Sequence, residues 1–232
     1  LLAAWPRALA LDPHGINVSR TGTPRALLVD RDAHQVLVCT LEGEVLFTLG
    51  ARHEPCFQAP FNHPTSACFA DDGDIYVADG YGNSRVHRFS DTGQHLCSWG
   101  SPGTGPGQFS TPHSVWVDRR NRVLVADREN HRVQLFERDG EYLASWDGVY
   151  KPMDITEDAD GRIYVSDQIP RVTQFRADGE VIGRSRPAWN VPHGIASAPD
   201  GRLFCAEMNP NSIVCLTPSD STAVPSDKER DQ

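Results

Sequence analysis

Pro13-His14-Gly15-Ile16 is followed downstream by Pro64-Thr65-Ser66-Ala67, Pro112-His113-Ser114-Val115, Pro152-Met153-Asp154-Ile155 and Pro192-His193-Gly194-Ile195. The residue after the proline falls at 14, 65, 113, 153 and 193, at spacings of 51, 48, 40 and 40 residues. A phrase returning at about 40 to 50 residues marks a repeat whose unit is one small sheet. Behind each phrase comes an apolar run ending in an acid: Ala26 to Asp30, Ile75 to Asp79, Val123 to Asp127, Ile163 to Asp167 and Leu203 to Glu207. Third strands follow, such as Val86 to Phe89, Val133 to Phe136 and Val172 to Phe175, and then a Glu-Gly, Thr-Gly or Asp-Gly turn and a fourth strand. Helical periodicity is absent. Sheets this small bury both faces only by stacking radially, so the expected fold is an all-β propeller with four-stranded blades. A β-sandwich would not repeat one phrase at this period.

Five blades are visible. Residues 1 to 12 either close the ring or are the remnant of a sixth blade lying further upstream. The expected domain runs from 1 to 217, and the polar, Pro-interrupted residues 218 to 232 read as a disordered tail.

The chain has 232 residues, 39% of them hydrophobic, which suffices for a sizeable core. Its net charge is -9, and its Lys and Arg residues are scattered singly. That excludes a phosphate-tracking surface, so nucleic acid and anionic membranes are not expected partners. The longest apolar stretches are strand-length, which argues against a membrane span and for a soluble protein. The first residue is Leu1, and a leader peptide stays an open question. Six cysteines without a C-x-x-C do not by themselves establish disulfides.

In a propeller the first strand of each blade lines the central channel. The residue after each proline therefore points toward the axis, reading His14, Thr65, His113, Met153 and His193 around the ring. The histidines occupy blades one, three and five, and alternate places of a six-place ring are 120° apart. Three imidazoles converging there would form a metal site with an open fourth position, suited to Zn²⁺ or another divalent transition metal. In the alternative, the histidines merely cap loops. His34, His53, His63, His87, His95 and His131 lie in loops or at strand ends and are expected to be solvated.

A second set of candidates follows the second strands: Arg31, Tyr81, Arg128, Gln168 and Met208. Tyr81 could accept a proton, and Arg31 or Arg128 could clamp a carboxylate. The competing readings are packing of Tyr81 under Gly80 and Gly82, and a salt bridge from Arg128 to Glu129 or Asp127.

The phrases Asp79-Gly80-Tyr81-Gly82-Asn83-Ser84-Arg85, Pro106-Gly107-Gln108-Phe109, Pro112-His113-Ser114, Ala126-Asp127-Arg128-Glu129-Asn130 and Val191-Pro192-His193 resemble the NHL-type propellers of the peptidyl-α-hydroxyglycine α-amidating lyases and their bacterial relatives. The resemblance runs from about residue 13 to 217. It implies NHL-type blades, His14, His113 and His193 as zinc ligands, and Tyr81 as base with Arg128 in the active site. The implied reaction cleaves a carbinolamide to an amide and glyoxylate. The family has a further active-site arginine upstream of its first histidine, which is missing here unless Arg7 or Arg31 substitutes for it. The family's cysteine after Asp-Gly-Tyr is Gly82, and its cysteine pair around Ala-Asp-Arg-Glu-Asn is replaced by apolar residues near Leu124 and Leu135. Its secretory disulfides are thus absent, which favours a cytoplasmic home while leaving secretion open. The family's calcium-binding acid after the last histidine is Gly194, so no calcium is implied.

The expected partner is a small-molecule or peptide substrate bearing a carboxylate. Two other functions compete with the lyase: a metal-dependent lactonase or esterase, and a non-catalytic binding scaffold. Residues 50 to 62 and 100 to 111 are expected to form the rim that selects substrate.

Overall fold

Period-2 alternation along the repeats resolves into five successive antiparallel sheets in a computed structural model that describes residues 5, 9–185 and 190–217. The first blade comprises Pro13–Val18, Arg25–Asp30, Gln35–Thr40 and Val45–Gly50, and the second Ser66–Phe69, Ile75–Asp79, Arg85–Phe89 and His95–Trp99. The third comprises Pro112–Val117, Val123–Asp127, Arg132–Phe136 and Tyr142–Trp146, and the fourth Pro152–Glu157, Ile163–Asp167, Arg171–Phe175 and Val181–Ser185. The fifth has three strands among the described residues, Pro192–Ser197, Leu203–Met208 and Asn211–Leu216. Within each blade the strands pair in chain order, and successive inner strands pack side by side around the axis. No α-helix occurs among the described residues, so none is long and apolar enough to cross a membrane. The expected tail, 218–232, lies outside the described residues, as does Arg7.

The core lies between blades. Ile75 and Val77 pack toward Leu27, Val29 and Val38 of the first blade, while Tyr76 and Ala78, on the other face of the same strand, pack toward Val115, Val123 and Phe136 of the third. Each fully buried aliphatic or aromatic side chain contributes roughly 1.5–3 kcal/mol. The two long connections anchor in these cores rather than only forming a rim: Phe61 and Phe109 are both fully buried. Residues 101–102 and 108–109 also form a short parallel pair.

The acid ending each second strand has a structural task that the sequence reading left unassigned. Asp79 accepts the N–H of Asn62 (2.9 Å), Asp127 that of Ser110 (2.8 Å), Asp167 that of Tyr150 (3.0 Å) and Glu207 that of Asn190 (3.2 Å). Each donor stands two residues before the proline of its blade. Asp30 does the same with Leu11 and Asp12. A buried carboxylate paired with backbone donors pins the incoming chain. In blades one, three, four and five the ladder then slips between the proline and the residue two places on, so that His14, His113, Met153 and His193 are each the extra residue of a bulge. A bulge bends the strand and re-aims its side chain, here onto the axis.

His87 corrects the expectation of a solvated side chain. It is fully buried, with Nδ1 2.6 Å from Ser98 Oγ and Nε2 3.3 Å from the Asp79 carboxylate. In the third blade Gln134 pairs with Asp127 in the equivalent place, so in these two blades this strand position supplies a partner to the second-strand acid. His34 is likewise buried.

Trp5, Leu9 and Ala10 pack on Leu28, Leu37 and Cys39, on the face of the first blade turned away from the second. Ile16 and Val18 of the first inner strand are 67% and 47% exposed, whereas Val115 and Val117, their third-blade counterparts, are 1% exposed. No described strand covers this face of the first blade.

Candidate metal centre

His14, His113 and His193 meet at the axis, with ring centroids 5.1, 5.2 and 4.9 Å apart, and their ligand-capable atoms all lie within 4.8 Å of one another. The near-equal spacing is that of alternate places in a six-place ring. Nδ1–H of His14 donates to the carbonyl of Thr65 and Nδ1–H of His113 to that of Met153, both at 2.7 Å. Blades two and four, which abandon histidine, thus supply the carbonyls that orient the histidines of blades one and three.

These bonds fix the tautomers. With the proton on Nδ1, the Nε2 atoms of His14 and His113 are lone-pair acceptors, and they lie 3.1 and 3.0 Å from the same Tyr81 hydroxyl. That hydroxyl has one proton and can satisfy one of them. Two acceptor nitrogens and a phenol oxygen crowded around one proton, with His193 beside them, form a donor set that fits a divalent cation.

Burial holds the His14 and His113 pKa values below the usual imidazole range. The other triad imidazoles push His113 further down, and the Thr65 bond opposes the shift at His14. His193 is lowered from its ordinary 6.5 to about 4 by burial, with His14 and Arg128 adding to the shift. All three rings are neutral at pH 7, the form a metal requires. Because the unfolded chain binds more protons than the folded one between pH 6.5 and about 4, the metal-free protein should lose stability as pH falls through that window. His193 alone contributes on the order of 3 kcal/mol, which urea titrations at pH 7 and 4.5 would measure; equal midpoints would contradict it.

Tyr81 is 40% exposed and leans over the triad. A Cβ on Gly80 would come within 2.0 Å of the Pro112 carbonyl, and one on Gly82 within 2.4 Å of Asn62, so only glycine lets the turn carrying Tyr81 close. Gly80→Ala should therefore cost about 3 kcal/mol in denaturant melts. Burial pushes the phenol pKa up, while Arg128 and Arg31 pull it down.

The two arginines differ. Arg31 is occupied: its guanidinium lies 2.5 Å from Asp12 and 2.9 Å from Asp32, and it stacks 5.7 Å from the Tyr81 ring centroid. Arg128 is not. Asp127 is taken up by Ser110, Asn130, Arg132 and Gln134, Glu129 bonds Lys151 at 2.8 Å, and the Arg128–Glu129 approach is 3.6 Å. Arg128 Nε is buried with no hydrogen-bond partner among the described residues, the mark of a missing acceptor. Its charge acts on all three triad histidines. Of the other second-strand candidates, Met208 is 56% exposed.

Below the triad the channel is a cavity of about 580 Å³ lined by all five inner strands, including Ile16, Val115 and Asp154. At its far end Arg20 of the first blade reaches Asp71, the Val117 carbonyl and Glu157 of the next three. Tyr81, Arg31 and Arg128 are not part of its lining.

Residues 61–89 and 109–136 match the NHL repeat. The chain is 32% identical over 90% of its length to peptidyl-glycine alpha-amidating monooxygenase of Mus musculus, covering 24% of that protein. It is 29% identical over 87% of its length to a probable peptidyl-alpha-hydroxyglycine alpha-amidating lyase of Caenorhabditis elegans, covering 63% of it. It spans about a quarter of the length of the amidating monooxygenases it matches. Among solved structures, virginiamycin B lyase from Staphylococcus aureus superposes with a TM-score of 0.66 at 13% identity, covering 90% of this chain and 71% of that one, a likeness of fold. Two segments of this β-propeller thus match the NHL repeat, and most of its length is similar in sequence to amidating monooxygenases and to peptidyl-α-hydroxyglycine α-amidating lyases.

Proposed function

We propose that this chain is a metal-dependent lyase that cleaves the C–N bond of an α-hydroxyglycine derivative, N–CH(OH)–COO⁻, to give an amide and glyoxylate. The observation that carries the reading is the convergence of three neutral imidazoles and one phenol beside an arginine lacking its acceptor. His14, His113 and His193 would hold zinc or another divalent transition metal. When bound, the ion supplies Lewis acidity toward the substrate hydroxyl.

Arg128 holds the substrate carboxylate through its free fork, which sets the carbinol carbon beside Tyr81. The Tyr81 oxygen would act as base toward the hydroxyl proton, a role in which the charge of a bound cation would offset the burial that raises its pKa; the C–N pair leaves with nitrogen as the C=O forms, and the proton is returned to that nitrogen. No electrons are gained or lost overall. Arg31, engaged by Asp12 and Asp32, positions the Tyr81 ring and favours the phenolate, leaving carboxylate binding to Arg128.

The homologues' names support a lyase, and nothing in the geometry specifically favours a hydrolase. Zinc-loaded protein should convert an N-acyl-α-hydroxyglycine to equal amounts of amide and glyoxylate. No conversion above the rate in buffer would sink the reading.

A further inference from the structure

Two histidines outside the triad repeat one arrangement. The Nδ1 of His34 accepts the N–H of His63 at 3.1 Å, and the Nδ1 of His131 accepts the N–H of Lys151, also at 3.1 Å. His63 and Lys151 each stand immediately before the proline that opens the next blade. Two residues further on lie Thr65 and Met153, whose carbonyls take the Nδ1–H of His14 and His113.

All four residues of the two clasps have left-handed backbones, with φ of 57° at His34, 58° at His63, 57° at His131 and 49° at Lys151. Non-glycine residues hold that conformation only where their surroundings impose it. At the junction of blades two and three the corresponding left-handed pair is Ser84 and Thr111, with no histidine. There the residue after the proline is His113 itself, and no carbonyl is needed to orient a triad ring. The clasps therefore occur at the junctions, among the described ones, where the following blade supplies an orienting carbonyl to His14 or His113.

We infer that His34 and His131 are positioning residues that, through their neutral Nδ1 acceptors, hold the strand starts whose carbonyls set the tautomers of His14 and His113. The inference rests on the proposed metal site for its functional meaning, though not for its geometry. A protonated Nδ1 cannot accept a hydrogen bond, so protonation of either clasp releases its strand start. His34 is faced by His63, Asp32, Asp79 and His53, and burial, followed by His63, keeps its pKa below the usual range. His131 lies flat on Tyr150, 4.7 Å between centroids, with Glu129 and Lys151 as the charged groups beside it.

The test separates acceptor from bulk. His131→Phe keeps an aromatic ring and loses the acceptor; His131→Asn keeps an acceptor near the Nδ1 position and tolerates the left-handed backbone. The same pair is made at His34. Zinc affinity is read by chelator competition, and the ring tautomers of His14 and His113 by ¹⁵N NMR of the metal-free protein. His131→Phe should weaken zinc about 10-fold and turn the His113 signal from pure Nδ1–H toward a tautomer mixture, with His14 unaffected; His34→Phe should do the reverse. The Asn variants should restore both readouts. Phe variants with unchanged tautomers would overturn the inference. If the Phe variants do not fold, wild type decides: the Lys151 amide and His113 Nδ1–H resonances must move together with the titration of His131, and independent behaviour overturns it. Absence of zinc binding in wild type with the tautomer effects intact would instead strike the proposed function and leave the clasps standing.

Discussion

His113→Ala should abolish metal binding: elemental mass spectrometry should find about one zinc per chain in the native protein and essentially none in the variant. His113 is 2% exposed, and its Nδ1 is locked to the Met153 carbonyl, so its Nε2 is the most completely oriented of the candidate ligands. Removing one of three protein ligands should cost well over the roughly 100-fold that loss of an outer-shell partner costs, and turnover should vanish with the metal. His95→Ala removes an exposed histidine bonded to Ser98 and should leave metal content unchanged. A native protein that takes up no zinc or other divalent transition metal from non-chelating buffer would end the lyase reading and favour a binding scaffold.

Tyr81→Phe tests the chemistry with the metal in place. The phenol oxygen lies 3.1 and 3.0 Å from two triad nitrogens, and Gly80 and Gly82 exist to bring it there. Losing a general base lowers kcat by about 10²- to 10⁴-fold, and the substitution should leave zinc content and KM nearly intact. Arg128→Ala should show the complementary pattern, with a raised KM for carboxylate substrates and a smaller loss for substrates whose carboxylate is amidated. If Tyr81→Phe turned over at the native rate, the proton would have to leave by another route and the assignment of Tyr81 would fall.

Much of this architecture was legible in the chain itself. The Pro-x-x-(Ile/Val) phrase is local, and its spacing counts blades without any knowledge of how they meet. The triad could be named for the same reason: in a ring of repeats, equivalent positions face the axis together, so three histidines at equivalent places had to converge. Arg31 and Arg128 could not be told apart. They follow equivalent strands, and what divides them is that Asp12 and Asp32 fold onto one guanidinium while Asp127 and Glu129 find other partners.

His87 was misjudged because nothing local marks it: it stands mid-strand between Val86 and Arg88. Its burial comes from the Asp79 carboxylate across the sheet and from Phe61, delivered by a distant loop. The glycines at 80 and 82 were visible as a turn, but the atoms that forbid a side chain there belong to Pro112 and Asn62.

The sequence by itself determined what repeats: strand number, blade period and the identity of each axial residue, all set by backbone alternation and turn chemistry over a few residues. Only the tertiary structure decided which nitrogen of His14 and of His113 carries the proton, which arginine is free and which peripheral histidines meet the strand starts. Those outcomes depend on hydrogen bonds and an ion pair between residues 19 to 51 positions apart, and such contacts exist only once the chain has folded back on itself.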